Sequence, residues 1–560
     1  MNQPIASQPV PEATRFDELV AAYYRAWFRY HPEQAVEAGV PGYAHLLTAR
    51  GEEERGALIC LNDELRVELE EINADALDPD RRMEYHILSG ASEIENRHII
   101  DIDPLHPDPQ RWLPINAIYQ LTIRHVENFD EAMAGRLATI PGHLSAAQMR
   151  LSTRAGRIPS LWVHAAAVSA RAGVDFVRGL ATHPKIVNSA KCEILTAHLE
   201  KAAVALAHFA DFLEGGVAGE AKGSFACGRE YFEHLLRQRH FLDVDADALH
   251  AFGERLIERT RQELESACEE VYGHRDIARA LGTIQSRHPD AQQLRAVYTD
   301  TIRAARKFIA EHALVTLPAT EHIEVVETPV FLRHQIPFAA YCDPAPNDPA
   351  QHGYYYLTPP ADAAALAEHD EIGLMHTCVH EAYPGHHLHF VTVNGSASAR
   401  TLPRLLNASA TSYEGWALYC EQLMQEQGFL NRPESRILLL RDRLWRALRV
   451  CIDVELHTRE LTLEAAADRL VSVLGFPRAQ AIADVTWYTQ SPTVPLGYAT
   501  GWALINALRA KVRAAEPNVS LRSFHDRLLS AGAIALPLAI QRVFGEPVWR
   551  DVRRAVFGGQ

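Results

Sequence analysis

Along most of this 560-residue chain, apolar residues recur at the three- and four-residue spacings that gather them on one face of a helix. The clearest run is 248–272, where Leu249, Phe252, Leu256, Leu264 and Val271 form a stripe, preceded by the capping residues Asp243 and Asp245 and closed by Gly273. Comparable amphipathic runs occupy 16–30, 191–213, 293–313, 435–460, 463–474 and 501–515. They predict a mainly α fold. Three short stretches depart from the helical period: 323–327, 337–341 and 354–358 are β-branched or aromatic, and Gly353, the turn-rich segment 343–348 and Pro359-Pro360 bound them. A small β ribbon is expected there, immediately before a cluster of histidines. Residues 1–14 are polar and proline-containing and predict a flexible tail. No repeat and no Gly/Ser/Pro-rich linker divides the remainder. It reads as a helical N-terminal lobe over 15–240 and a second helical lobe over 241–560 that carries the histidines, or as one continuous domain 15–560.

Composition adds exclusions. A hydrophobic content of 47% with 22% charged residues is that of an ordinary globular protein. Acidic residues outnumber basic ones by 71 to 55, and no dense Lys/Arg stripe interleaves with aromatics, so nucleic acid is not an expected partner. No stretch approaches the roughly 20 apolar residues that span a bilayer. The N-terminus has neither the basic start nor the apolar run of a secretory leader, and the eight cysteines are scattered without a C-x-x-C pair. Together these predict a reduced, cytoplasmic protein with no membrane partner.

The candidate chemistry lies in 378–387, Cys-Val-His-Glu-Ala-Tyr-Pro-Gly-His-His. A histidine followed at once by glutamate, with another histidine a turn later, lets a helix supply two zinc ligands and a general base together. The usual second histidine is at i+4, where this chain has Pro384. Proline removes an amide donor, and its ring collides with the carbonyl four residues back, that of His380. In an undistorted helix His387 would lie about 10 Å along the axis from His380. A two-residue bulge at Pro384-Gly385 would instead bring His386 to the place of the missing ligand, and His386 is preferred. With 28 histidines in the chain some clustering is expected, and a single histidine on an apolar face is commonly a hydrogen-bonded core residue. His376, His380, His386, His387 and His389 all fall within 376–389, beside a glutamate and a Pro-Gly turn, which favours metal binding. The rival pair, His376 with His380 at i and i+4, fits neither order of the motif.

A catalytic zinc needs three protein ligands and an open position. Downstream, 411–421 reads as a helix with Glu414 and Glu421 two turns apart on one face among apolar neighbours. Glu414 is the expected third ligand. Glu421 is either the acceptor that orients a ligand histidine or a solvated surface residue.

At this point the sequence resembles a large bacterial family known only as a domain of unknown function, typified by an H-E-x-x-P-G-H-H element and a following E-G-W-A. Both stand here, at 380–387 and 414–417. The likeness takes in the tyrosines of 353–356, the stretch 496–501, Leu508-Arg509 and 524–532, and reaches weakly to 32–39. That family looks like a helical relative of zinc peptidases with a glutamate third ligand. The resemblance implies an α-rich fold with His380, His386 and Glu414 as ligands. This chain departs from it at His389, where glutamine is expected, and in lacking the N-terminal signal of members associated with secreted lipoproteins.

The expected function is therefore zinc-dependent hydrolysis of amide bonds in short peptides or peptide-like substrates, with one Zn2+ per chain and Glu381 as base for the metal-activated water. Tyr498, in an expected loop after Pro495, is the candidate donor to the oxyanion or else a packing residue. Tyr355 and Tyr356 could pair an extended substrate, and Arg509 and His525 could anchor a carboxylate; each has a packing or structural alternative. A small-molecule amidase, a metal-retaining binding protein without turnover and a structural zinc site are the alternatives. The intact Glu381 argues against the last two.

Overall fold

Asp245 sets where the longest helix begins: its side chain accepts the Ala248 amide at 2.7 Å, and Gly273 ends the helix Ala246–Tyr272 in the left-handed conformation at φ 73°. The computed structural model describes residues 11–558. Most of the expected tail, 1–10, lies outside the described residues, and Glu12 already opens the first helix, Glu12–Trp27. The other periodic runs become helices with ends close to those expected: Cys192–Phe212, Leu294–Glu311, Pro433–Thr458 and Leu463–Leu474. The run expected from Gly501 begins earlier, as Gly497–Ala515.

The fold is mainly α with one small sheet of three strands, β1 (His322–Glu327), β2 (Ala339–Cys342) and β3 (His352–Leu357), in the order β1-β3-β2. β2 and β3 form the expected antiparallel hairpin, with Tyr341 opposite Tyr355. β1 joins the other side of β3 in parallel, pairing Val325 with Tyr355. β3 is therefore central, and both of its backbone edges are occupied.

A large apolar core gathers the sheet (Val325, Tyr355), the histidine-bearing helix (Cys378, Val379) and the helices Ala410–Glu426 and Gly497–Ala515. The last two approach backbone to backbone, because a Cβ on Gly501 would stand 1.9 Å from the Thr411 carbonyl oxygen. Separate clusters close the N-terminal helices. Phe16, Leu65 and Leu69 form one, and Leu137, Ala166 and Leu206 belong to another. The second cluster also receives Phe331, from the segment between β1 and β2. Tyr119 reaches the sheet through Tyr356 at 2.6 Å, and Arg124 bonds the Asp343 carbonyl and, at 2.6 Å, Glu37. The N-terminal helices are thereby fixed against the strands that lead into the histidine segment.

Candidate metal centre

The helix Gly373–Glu381 stops at Glu381, and a new helix, His386–Gly395, starts five residues later. Between them the backbone leaves helical angles at Ala382 (φ −114°, ψ −86°), and the Tyr383–Pro384 peptide is cis. The expected two-residue bulge within one helix is therefore a turn between two helices. Pro384 cannot continue the ladder, so the first helix ends before it. Gly385 closes the turn: its amide donates to the Val379 carbonyl at 3.0 Å, and a Cβ there would stand 1.8 Å from the His380 carbonyl oxygen. Only glycine fits that approach.

The turn presents His386 to His380, with ring centroids 4.9 Å apart and planes perpendicular. His387 faces elsewhere: its Nε2 lies 2.8 Å from Glu321 and its Nδ1 3.0 Å from the Tyr341 hydroxyl. Glu321 also accepts from Tyr383 and, at 2.6 Å, pairs with Arg306. Glu414, on Ala410–Glu426, closes the group. Its Oε2 lies 3.5 Å from His380 Nε2 and 3.3 Å from His386 Nε2, and the three ligand atoms all fall within 4.8 Å of one another. No hydrogen bond satisfies the buried Glu414 Oε2 or His386 Nδ1. Two imidazoles and a carboxylate that converge without satisfying one another fit a divalent cation of the zinc type.

Glu421 is buried and accepts from His380 Nδ1 at 2.8 Å, fixing the ring so that Nε2 faces Glu414. Burial alone would lower the His380 pKa, but Glu414 and Glu421 outweigh it and raise the imidazole to about 10. Burial works against ionisation of Glu414 and Glu421, yet histidine partners hold both well below the ordinary carboxylate range. Burial pushes Glu381 the other way, upward, against the pull of His386 and His380. His376 does not share the group. Its Nδ1 lies 3.7 Å from Glu421 Oε2, beside Asp442, which Arg441 already holds at 2.6 Å.

Tyr498 sits in the first turn of Gly497–Ala515, not in the expected loop, because the helix starts four residues early. Its ring stacks on His380 at 6.3 Å, with the guanidiniums of Arg446 and Arg449 at 5.8 and 4.5 Å. Burial, then the Glu414 charge, raises its phenol well above the ordinary value, so it stays protonated. The other candidates are engaged elsewhere, except Tyr355, whose buried hydroxyl has no hydrogen-bond partner among the described residues. Tyr355 is buried on the central strand, Tyr356 bonds Tyr119, and Arg509 pairs with Glu426 at 2.7 Å. His525 is enclosed between the Leu314 carbonyl at 2.6 Å and Tyr419 at 2.8 Å. His389 is buried with neither ring nitrogen bonded, and burial lowers it to about 3. Sequence reasoning missed Glu321, Tyr341 and Arg446. Glu321 precedes β1 with no periodic signal, whereas Arg446 follows Asp442 by one turn within an apolar helix and is legible as a buried charge.

The chain is thus a mainly α protein with a two-histidine, one-carboxylate cluster beside a small mixed sheet. It belongs to the family described as bacterial protein of unknown function (DUF885), whose model matches residues 32–543. Two solved structures share the fold. A putative lipoprotein of unknown function from Shewanella oneidensis is 20% identical, with a TM-score of 0.76, and the match covers 94% of this chain and 99% of that one. A putative lipoprotein from Colwellia psychrerythraea is 17% identical, with a TM-score of 0.78, covering 96% and 99%. No curated protein matches the sequence. The expectation of a cytoplasmic protein does not stand: the neighbours in fold are described as putative lipoproteins. Scattered cysteines and a polar N-terminal stretch do not fix a compartment.

Proposed function

We propose that this chain is a zinc-dependent hydrolase that cleaves amide bonds in short peptides or peptide-like substrates. The observation that carries the reading is the convergence of His380 Nε2, His386 Nε2 and Glu414 within 4.8 Å, with Glu381 next in sequence to the first of them. His380, His386 and Glu414 would hold the zinc, which when bound supplies Lewis-acid polarisation of a carbonyl and an acidified water. Glu381 accepts a proton from the attacking water and returns it to the leaving amine. Its upward-shifted pKa makes it a stronger base than an ordinary carboxylate. Glu421 keeps His380 in the tautomer that presents Nε2. Tyr498, held protonated beside His380, donates to the developing oxyanion.

The strand available to an extended substrate is β2, an edge strand, and not the central β3 expected from sequence. Tyr341 on β2 stacks on His386 at 6.5 Å, so a chain laid along that edge would pass the metal cluster. The test is digestion of a short-peptide library by the purified protein, with chelator and Glu381→Gln controls. Cleavage that both controls abolish supports the reading. No cleavage of any peptide by the zinc-loaded protein would turn it toward a non-peptide amide.

A further inference from the structure

A cavity of about 340 Å3 opens between the N-terminal helices and the start of the helix that carries Glu414. Tyr24, Trp27, Tyr231, Asn407, Arg111 and Arg239 are among its walls. Neither arginine pairs with a carboxylate among the described residues. Arg239 has only a long contact, 3.4 Å, to the Pro492 carbonyl, and the charges bearing on it include that of Arg111, which repels it. Arg111 lies 2.5 Å from His98 Nε2, an imidazole that burial and neighbouring arginines keep neutral. The acid in the wall, Glu95, is already committed to His31 at 2.8 Å, Trp27 at 3.0 Å and Asn62 at 2.9 Å. Arg239 is half-buried with no carboxylate at ion-pair distance among the described residues, so an anion entering the cavity would gain a charge-assisted partner there; Arg111 is exposed and already feels the Asp108 charge, which makes it the weaker of the two.

The cavity adjoins the metal cluster. Arg239 precedes His240, whose ring bonds Ser409, the capping residue of the helix Ala410–Glu426, at 2.9 Å. The Arg239 charge bears on Tyr413, and the Tyr413 ring lies 6.1 Å from that of His386. The helix that carries Glu414 begins at Ala410, two residues after Ala408 in the wall, and Glu414 lies about 6 Å along it at the helical rise of about 1.5 Å per residue.

We propose that this cavity is an anion subsite beside the metal cluster, in which Arg239, assisted by Arg111, receives a substrate carboxylate. The carboxylate is either the C-terminus of a short peptide or an acidic side chain within it. Calling the bound molecule a substrate rests on the hydrolase reading above; the anion binding does not.

The experiment is calorimetric titration of full-length Glu381→Gln protein, in which turnover should be at least about 100-fold slower, with two matched pairs of tetrapeptides. One pair differs as C-terminal acid against amide, the other as internal Glu against Gln. The acidic member of at least one pair should bind at least about tenfold more tightly, as a charge-assisted hydrogen bond gives, and the pair that discriminates identifies the source of the carboxylate. Arg239→Gln should abolish the difference while leaving the neutral member unchanged, and Arg239→Lys should keep part of it. Equal affinity within both pairs, no binding of the acidic members, or a preference that survives Arg239→Gln would overturn the proposal. The comparison within pairs needs no Arg239 variant, so the subsite can still be refuted if such a variant misfolds. A preference without hydrolysis by the Glu381 protein would defeat the hydrolase reading alone; hydrolysis without a preference would defeat the subsite alone.

Discussion

Glu414 holds its charge beside two imidazoles with no hydrogen bond to its Oε2, and this unsatisfied arrangement governs what each neighbour should do when changed. In the metal-free protein Glu414 and Glu421 raise His380 to about 10, so the ring is cationic at neutral pH. A metal takes only neutral imidazole, so uptake at pH 7 should expel about one proton from His380, and affinity should rise with pH toward 10. Zinc titration in buffers of different ionisation enthalpy measures that proton; none released would contradict the assignment. The same shift has a stability consequence. Its stabilisation of the metal-free fold is complete below the ordinary value of 6.5 and is lost as pH rises to about 10. Glu421→Gln should weaken metal affinity by about 10- to 100-fold, since it removes the acceptor that orients His380. At this scale the motif was legible because His380, Glu381, His386 and Glu414 occupy a recognisable spacing. Glu321 was not, since its partners His387 and Arg306 are brought to it only by the fold.

The turn at Pro384 is where local sequence and tertiary geometry meet. Gly385→Ala should destabilise the fold by about 3 kcal/mol through overpacking, because its Cβ would meet the His380 and Val379 carbonyls at 1.8 and 2.4 Å. It should also lose metal, and thermal melting with metal analysis reads both effects. Wild-type stability and metal content in that variant would mean that the close approach does not organise the site. Helix ends were legible wherever a cap marks them, as Asp245 and Gly273 do. Tyr498 was misread as a loop residue because the helix Gly497–Ala515 opens without a side-chain cap. The parallel pairing of β1 with β3 carried no local signal, since it joins segments separated by the whole of β2. That pairing moves the available strand edge to β2.

Across the whole molecule, the N-terminal helices hold the strands through Tyr119 and Arg124 and line the Arg239 cavity, and the side chains of His380, His386 and Glu414 are only 8, 9 and 12% exposed, so a covered cleft is expected over the cluster. Activity should therefore be confined to short peptides and peptide-like amides, with a folded globular protein left intact when compared with casein and a peptide library at equal mass. Efficient digestion of the folded protein would contradict the covered cleft. The helical class was legible from periodicity alone, whereas the compartment was not, because neither composition nor cysteine spacing encodes it. The central claim is that His380, His386 and Glu414 hold a catalytic zinc with Glu381 as base. It is tested most directly by elemental analysis joined to peptide turnover in the wild-type protein and in Glu381→Gln, His386→Ala and His387→Ala. The account predicts about one zinc per chain in the wild type, Glu381→Gln and His387→Ala, and less than about a tenth in His386→Ala. Turnover should fall by about 10²- to 10⁴-fold in Glu381→Gln although its metal is kept. A wild-type protein without transition metal, or one whose metal survives His386→Ala and is lost in His387→Ala, would contradict it.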